Sequence, residues 1–262
     1  MNYKLVIGWL YPTLMSTYGD RGNITVLQKR CEWRGIEVKI IPIEHSTNDQ
    51  SLKTIDLIFG GGAQDHEQEI VMKDLLGKKG EILKELIEND IPALFVCGSP
   101  QLMGKFYEPS LGKRIEGLGI FDMETTHPEP NSKRLIGNIV AKVNWENLGV
   151  DCSQFTVHRS QIVGFENHGG RTTLGKNAKP FATVVKGFGN NGNDKTEGVI
   201  YKNAIGSYFH GPLLPKNPEI ADFLVQRTLE VKYGKKVELE KLDDSLEEKA
   251  KAAILEKQGI KT

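Results

Sequence analysis

Cys97 follows a short apolar segment and precedes a glycine-containing turn, and this arrangement most limits what the chain can form. Residues 91–96 read IPALFV, the composition of a buried parallel strand. Residues 98–104 read GSPQLMG, where the apolar run ends and a helix can begin. A cysteine at such a strand–turn–helix corner lies at the positive end of the helix dipole, which favours the nucleophilic thiolate. Inert packing is the alternative, because free cysteine is among the most buried residue types.

A second strand end carries a candidate base. Residues 204–209, AIGSYF, form another apolar strand, and His210 follows it directly. The carboxyl ends of parallel strands meet at one edge of a sheet, so Cys97 and His210 are predicted to form a Cys–His hydrolase site there. A third strand runs into the glycines of residues 60–62, whose backbone N–H groups can face the nucleophile. No Gly-Lys-Ser/Thr follows them, so they are not a nucleotide-binding P-loop.

Composition limits the class of protein. The chain has 262 residues, enough for one large domain with an appendage, and its 34 basic and 34 acidic residues cancel. A net charge of zero does not indicate a nucleic-acid-binding protein, because such proteins usually carry an excess of basic residues. No stretch is apolar enough to span a bilayer, and the amino terminus runs into a strand rather than a signal peptide. The three cysteines, at positions 31, 97 and 152, form no Cys-x-x-Cys pair. We therefore expect a reduced, cytoplasmic protein without a bound metal.

The first hundred residues alternate strands and helices. Apolar strands are predicted over residues 3–10, 37–43, 55–60 and 91–96, and helices from Ile24 to Gly35 and over residues 67–89. Short connections between such elements predict an α/β fold built on a mostly parallel sheet flanked by helices.

The second half of the sequence is predicted to form short, antiparallel strands. These strands cover residues 134–140, 161–165, 181–186 and 198–201. A helix from Pro218 to about Tyr233 closes the predicted domain, residues 1–233. The tail, residues 234–262, is predicted to be helical, and Ser245 and Glu248 are predicted to form a capping box. We expect the tail to pack on its own domain rather than dock on another chain. Its predicted apolar face comprises Leu239, Leu242, Leu246, Ala253 and Ile254.

Seven segments, in order between residue 18 and about residue 232, carry a family resemblance. They are YGDRGN (18–23), FGGG (59–62), VCGSPQ (96–101), EGLG (116–119), RLIG (134–137), GFENHGGR (164–171) and YFHGP (208–212). Together they resemble the class I glutamine amidotransferases, which are Cys–His glutaminases with a flavodoxin-like α/β fold. Within that family they are similar to the branch of the cobyric acid synthases and the glutaminase subunits of lipid II isoglutaminyl synthases.

The resemblance implies chemical roles for four of the matched residues. Cys97 is expected to attack the carboxamide carbon of glutamine and form a glutamyl thioester. His210 is expected to deprotonate the thiol and then protonate the leaving ammonia. Backbone N–H groups of Gly62 and Gly98 are expected to stabilise the oxyanion.

Two further residues are implied in substrate binding. Gln101 is expected to face the main-chain atoms of the substrate. Arg134 is expected to bind the α-carboxylate of glutamine, because a guanidinium fork matches a carboxylate bidentately. Taken in isolation, the sequence around Arg134 favours a surface arginine on a strand over a binding residue.

The chain departs from the family pattern at two positions. Ser99 stands where the family usually has glycine, and Pro212 stands where many members have the glutamate that orients the histidine. The pair is then a dyad unless another acid is recruited. Asp20 is the candidate acid, with a plain turn or helix-cap role as its alternative.

The implied function is that of a glutaminase subunit in peptidoglycan biosynthesis. It would hydrolyse L-glutamine to L-glutamate and ammonia and pass the ammonia to a Mur-ligase-like synthetase subunit, its heterodimer partner. That partner would hold ATP and Mg²⁺ and amidate the D-glutamate of the lipid II stem peptide, so no cofactor is expected on this chain. The alternatives are an amidotransferase of the cobyric acid type for another carboxylate, a stand-alone cysteine hydrolase, and a non-catalytic regulatory subunit of the same fold.

Overall fold

The computed structural model describes residues 3–129, 132–150 and 161–260, so that Cys152 lies outside the described residues. The first half of the chain alternates strands and helices, as predicted. Its strands are β1 (Lys4–Leu10), β2 (Glu37–Ile43), β3 (Leu57–Gly60) and β4 (Ala93–Val96). Its helices are α1 (Arg21–Glu32), α2 (Asp49–Leu52), α3 (Asp65–Leu75), α4 (Lys78–Glu88) and α5 (Gly98–Met103).

The second half is dominated by short strands and ends in two helices. The strands are β5 (Phe106–Glu108), β6 (Ile115–Glu116), β7 (Met123–Thr126), β8 (Leu135–Val143), β9 (Gln161–His168), β10 (Arg171–Leu174), β11 (Ala182–Lys186), β12 (Thr196–Glu197), β13 (Val199–Tyr201) and β14 (Ala204–Ser207). The helices are α6 (Pro218–Tyr233) and α7 (Ser245–Lys257), and single 3-10 turns occupy Trp145–Leu148 and Leu214–Lys216.

The central sheet brings the two predicted site strands together. Within the described residues it has six strands in the order β13-β14-β4-β3-β1-β2. All neighbours run parallel except β13, which pairs antiparallel with β14. Because β14 lies beside β4 with Ser207 opposite Val96, the residues that follow the two strands emerge at the same edge. The predicted α/β fold with a mostly parallel sheet is confirmed.

Two smaller sheets cover the second half of the described chain, each with four strands. Their orders are β10-β7-β5-β6 and β12-β11-β8-β9. The predicted antiparallel character holds throughout the second of these sheets. In the first, β5 and β7 run parallel, and neither strand was among those predicted from the sequence.

Apolar clusters cover both faces of the central sheet. One contains Phe59 and Phe209 and packs α1 and α6 against the sheet, and the other contains Phe95 and Phe121 beside α3, α4 and α5. Strands β3 and β4 are buried along their whole lengths, which is why they read as continuous apolar runs. Each fully buried side chain of this size contributes roughly 1.5–3 kcal/mol.

The single helix predicted over residues 67–89 is wrong. The chain forms α3 and α4 instead, with a break at Leu76 and Gly77. Gly77 adopts an extended conformation and donates its N–H to the Asp74 carbonyl at 3.2 Å, which ends the first helix. Glycine is a poor helix former, so a turn there costs little and lets both helices bury apolar faces on the sheet.

The tail packs on its own chain. Buried Arg30 of α1 forms ion pairs with Asp222 of α6 and Asp244 of the tail, at 2.6 Å each. In α7, Leu255 packs on Val140 and Val163 of β8 and β9. None of the helices in the described ranges is both long and apolar enough to cross a membrane. The predicted division of the chain at residue 234 stays a prediction.

Two details predicted for the tail helix are wrong. Asp244, not Ser245, is the N-cap, and Leu246 is 74% exposed instead of facing the domain. In the observed orientation the Lys251 ammonium donates to the Gln161 carbonyl and pairs with Glu219, and Leu255 is buried.

Candidate active site

Cys97 occupies a strained corner between β4 and α5. Its φ of +57° and ψ of −99° lie outside the regions that side-chain-bearing residues ordinarily adopt. Such a conformation costs about 1–3 kcal/mol and persists where surrounding contacts impose it. Here the Cys97 N–H donates to the Ser207 carbonyl at 2.8 Å, and the residue is 6% exposed. The corner holds the thiol at the edge of the sheet.

His210 lies at the same edge and is held by β9. Its backbone forms an antiparallel bridge with Phe165, with the His210 N–H donating to the Phe165 carbonyl at 2.7 Å. The imidazole is buried, and neither ring nitrogen has a hydrogen-bond partner among the described residues. Burial lowers the pKa of His210, but the negative charges of the Cys97 thiolate and of Asp20 outweigh it and raise that pKa to about 10.

Asp20 faces both the imidazole of His210 and the glycine loop, residues 60–62. It is fully buried, and its Oδ2 accepts the Gly62 N–H at 2.7 Å. Its Oδ1 lies 3.8 Å from His210 Nδ1, an ion-pair distance that is too long for a hydrogen bond. Asp20 precedes α1, yet within the described chain its side chain does not cap that helix. The helix-cap alternative for this side chain is therefore wrong.

The glycine loop packs directly on the nucleophile. A Cβ on Gly62 would stand 2.9 Å from Cys97 Cβ, so only glycine fits beside the corner. The Gly62 N–H, predicted to be an oxyanion donor, is engaged by Asp20 in this structure and must be released to serve that role. Gly98, the other predicted donor, is the first residue of α5 and packs against Gln68.

Ser99 has a contact that glycine could not make. Its buried hydroxyl donates to the Gly61 carbonyl at 2.6 Å. This bond joins α5 to the glycine loop. Serine in place of the usual glycine therefore adds a hydrogen bond between the two segments that lie on either side of Cys97.

The two predicted substrate-binding residues lie in different settings. Gln101 is 4% exposed and its amide nitrogen lies close to Gly170. Arg134 is exposed, and its Nε and Nη2 donate to the Oδ1 and the carbonyl of Asn167, both at 2.9 Å. The charge of Arg134 opposes the rise that burial causes in the pKa of Tyr18, so the guanidinium lies within electrostatic reach of the site.

Two further aromatic rings, those of Tyr18 and His168, lie near the predicted catalytic residues or the segment that carries them. The Tyr18 ring lies 4.8 Å from the His210 ring and contacts the Gly62 position. His168 stacks on Tyr208 at 4.1 Å, and burial lowers its pKa to about 4, so it is neutral at ordinary pH. Both residues lie inside the family motifs, but no spacing in the sequence indicates the contact of Tyr18 with His210.

Cys97 and His210 are both buried, with 6% and 3% of their surfaces exposed. Two cavities, of about 630 and 460 Å³, are lined by described residues that include neither Cys97 nor His210. The larger lies between α6 and α7, and the smaller lies beside the carboxyl end of α4. Half-buried Tyr18 lies against the imidazole of His210.

The fold of this chain is that of the class I glutamine amidotransferases. A solved glutamine amidotransferase covers 85% of this chain and 98% of its own, with a TM-score of 0.56 and 14% identity. A glutamine amidotransferase from Thermotoga maritima covers 97% of this chain and 94% of its own, with a TM-score of 0.53 and 13% identity. At these identities the likeness shows the fold alone.

The chain belongs to the CobB/CobQ-like glutamine amidotransferase family, whose model matches residues 6–218. Subunit GatD of the glutamine-hydrolyzing lipid II isoglutaminyl synthase of Streptococcus pneumoniae is 42% identical to it, over 93% of this chain and 88% of that protein. The GatD subunit of Staphylococcus aureus is 38% identical over 97% and 96%. A probable cobyric acid synthase of Methanococcus maripaludis is 35% identical over 64% of this chain but 33% of its own length. The predicted family and enzyme class are confirmed, and the roles of individual residues stay predictions.

Proposed function

We propose that this chain is the glutaminase subunit of a lipid II isoglutaminyl synthase. It hydrolyses L-glutamine and supplies ammonia to a Mur-ligase-like synthetase, which amidates the D-glutamate of the lipid II stem peptide. The observation that carries this proposal is the strained Cys97 beside His210 at adjacent strand ends. They occur in a chain that is 42% identical, over 93% of its length, to a GatD subunit.

The chemistry begins with a charged pair. His210 takes the proton of the Cys97 thiol and holds it as an imidazolium, which its raised pKa of about 10 favours. The sulfur attacks the carboxamide carbon and forms a C–S bond, and the carbonyl oxygen becomes an oxyanion. The imidazolium gives its proton to the nitrogen, the C–N bond breaks, and ammonia leaves a glutamyl thioester.

Hydrolysis restores the starting state. Neutral His210 takes a proton from water as the water oxygen attacks the thioester carbon. The C–S bond then breaks, which releases glutamate and returns the thiolate. The Gly98 N–H, and the Gly62 N–H once Asp20 releases it, are the proposed oxyanion donors, and one well-aimed donor is worth about 3–4 kcal/mol.

Substrate recognition is assigned to the rim of the site. Arg134 directly precedes β8, within electrostatic reach of Tyr18, and its exposed guanidinium is the proposed partner of the substrate α-carboxylate. Buried Gln101 is the proposed contact for the substrate main chain.

We assign ATP-dependent activation of the acceptor to a partner protein. The chain is 42% and 38% identical to proteins that are each named as one subunit of a synthase, which supports a separate synthetase subunit carrying ATP and Mg²⁺. We place the pair in the cytoplasm, where thiols stay reduced and Cys97 can act. An acceptor of the cobyrinic acid type is the second candidate, favoured by the identity to cobyric acid synthases.

The experiment uses the reconstituted pair of this chain and its synthetase, with lipid II as acceptor and either glutamine or ammonium chloride as donor. Cys97→Ala is expected to abolish amidation from glutamine and leave amidation from ammonium intact, since added ammonia bypasses the thiolate. Loss of both activities contradicts a role as nitrogen donor alone, and retention of both excludes Cys97 as the nucleophile. Amidation of a cobyrinic acid in place of lipid II selects the second candidate.

A further inference from the structure

Glu197 is a fully buried carboxylate at the junction of two sheets. It is the last residue of β12, on the edge of the antiparallel sheet, and the chain enters β13 of the central sheet two residues later. A buried carboxylate is costly unless its oxygens accept hydrogen bonds, so its contacts indicate what it stabilises.

Both described hydrogen-bond donors to Glu197 come from the segment that leads to His210. The Ser207 hydroxyl donates to its Oε1 at 2.8 Å, and the Tyr208 N–H donates to the same oxygen at 2.9 Å. Ser207 ends β14, and Tyr208 is two residues before His210. Glu197 therefore holds the chain where it leaves the strand and turns toward the imidazole.

Ser207 extends this contact to the nucleophile. Its carbonyl accepts the Cys97 N–H at 2.8 Å, and its hydroxyl oxygen accepts the Phe209 N–H at 3.2 Å. One carboxylate oxygen thus orders the residue that holds the Cys97 backbone and the two residues that precede His210.

We infer that Glu197 is a positioning residue that sets the separation of Cys97 and His210 through Ser207. The inference rests on the proposed function and adds a residue that lies in none of the seven recognised segments. Without the carboxylate, the Ser207 hydroxyl and the Tyr208 N–H lose their acceptor in the interior, and the segment shifts to find another. A displacement of about 1 Å between reacting groups can lower turnover about 100-fold.

A carboxamide at this position is a close substitute. Burial raises the pKa of Glu197 to about 7, so a neutral side chain is already accessible there at ordinary pH. The Oε1 of glutamine can accept the same two hydrogen bonds, so Glu197→Gln is expected to preserve the segment that alanine releases.

Glu166 offers a matched control. It is equally buried, burial raises its pKa to about 7 as well, and it accepts two backbone N–H groups. Those donors are Phe188 and Gly189, which belong to a turn that makes no hydrogen bond to Cys97 or His210 in the described part of the chain.

The test is the steady-state glutaminase activity of the reconstituted pair, with thermal unfolding of each variant. Glu197→Ala is expected to lower kcat about 100-fold with KM within about twofold, and Glu197→Gln to recover most of that loss. Ser207→Ala, a milder change, is expected to lower kcat about tenfold with unchanged KM, and it carries the test if Glu197→Ala does not fold. Glu166→Ala is expected to lower the Tm comparably but to keep kcat within about threefold.

Three outcomes overturn the inference: wild-type kcat in Glu197→Ala, wild-type kcat in Ser207→Ala, or an equal loss of kcat in Glu166→Ala. Failure of the proposed function is distinct, because the wild-type pair would then release no glutamate from glutamine.

Discussion

The Asp20 carboxylate accepts the Gly62 N–H at 2.7 Å, a bond that joins the segment before α1 to the glycine loop beside Cys97. The other oxygen of Asp20 lies 3.8 Å from the Nδ1 of His210. One buried side chain thus engages a proposed oxyanion donor and faces the proposed base. Movement of Asp20 toward the imidazole would release the Gly62 N–H and orient His210 in the same step.

Substitution of Asp20 is expected to separate its two contacts. Asp20→Asn keeps an oxygen that can accept the Gly62 N–H but removes the charge that faces His210, so kcat is expected to fall at least about tenfold with stability little changed. Asp20→Ala leaves the buried N–H unpaired as well, at a cost of about 1–3 kcal/mol in the free energy of unfolding. Kinetics and denaturant unfolding measure both. Full activity in Asp20→Asn would mean that Cys97 and His210 work as a bare dyad.

Substitution of Cys97 is expected to reveal both chemistry and strain. Cys97→Ala and Cys97→Gly should each abolish glutamate release. Because glycine tolerates the positive φ, Cys97→Gly is expected to be about 1–3 kcal/mol more stable than Cys97→Ala, measured by denaturant unfolding. Equal stability of the two variants would show that the corner stores no strain.

Covalent labelling provides a separate check on the nucleophile. A diazo-ketone analogue of glutamine is expected to modify Cys97 alone, as located by peptide mass spectrometry. Burial raises the pKa of the Cys31 thiol to about 12, so that residue should not react. Modification at Cys31 or Cys152 in place of Cys97 would contradict the assignment.

The raised pKa of His210 predicts a particular pH dependence. The value rises from 6.5 to about 10, so the stability that the protonated ring contributes is fully present below pH 6.5 and lost as the pH rises through 10. The alkaline loss of kcat/KM is therefore expected near pH 10. An NMR titration should find a lower pKa for His210 in Cys97→Ala, because that change removes the thiolate charge. A ring that titrates near 6.5 in the wild type would contradict the raised pKa of His210.

Arg134 is expected to act in binding more than in turnover. Its contact with the substrate carboxylate would persist from the ground state to the transition state, so Arg134→Ala should raise KM about 10- to 100-fold with a small change in kcat. Arg134→Lys should recover part of the affinity, since it restores the charge without the bidentate fork. An unchanged KM would assign the carboxylate site to another residue.

Ser99 is expected to stabilise the glycine loop. Ser99→Gly and Ser99→Ala both remove the hydroxyl that donates to Gly61, which should lower the free energy of unfolding by about 1 kcal/mol. Both should also lower kcat, because Gly62 follows Gly61 directly and packs on Cys97. Higher activity in Ser99→Gly would instead mean that the serine restrains the site.

The sequence by itself determined the local features of this protein. Continuous apolar runs indicated β3, β4 and β14, because strands buried on both faces need no polar alternation. The turn after Cys97 and the glycines after β3 were visible because their causes lie within a few residues. The family motifs then connected these segments to one kind of chemistry.

Only the tertiary structure decided which side chains meet. Asp20 and Gly62 are 42 residues apart, and Arg30 reaches Asp244 across 214, with no periodic signal between them. The break at Gly77 and the buried face of α7 were also missed, because each depends on what the helix packs against. The apolar pattern of a segment indicates whether that segment is buried. A hydrogen bond between distant side chains depends instead on how the sheets and helices pack together, and that packing depends on residues throughout the chain.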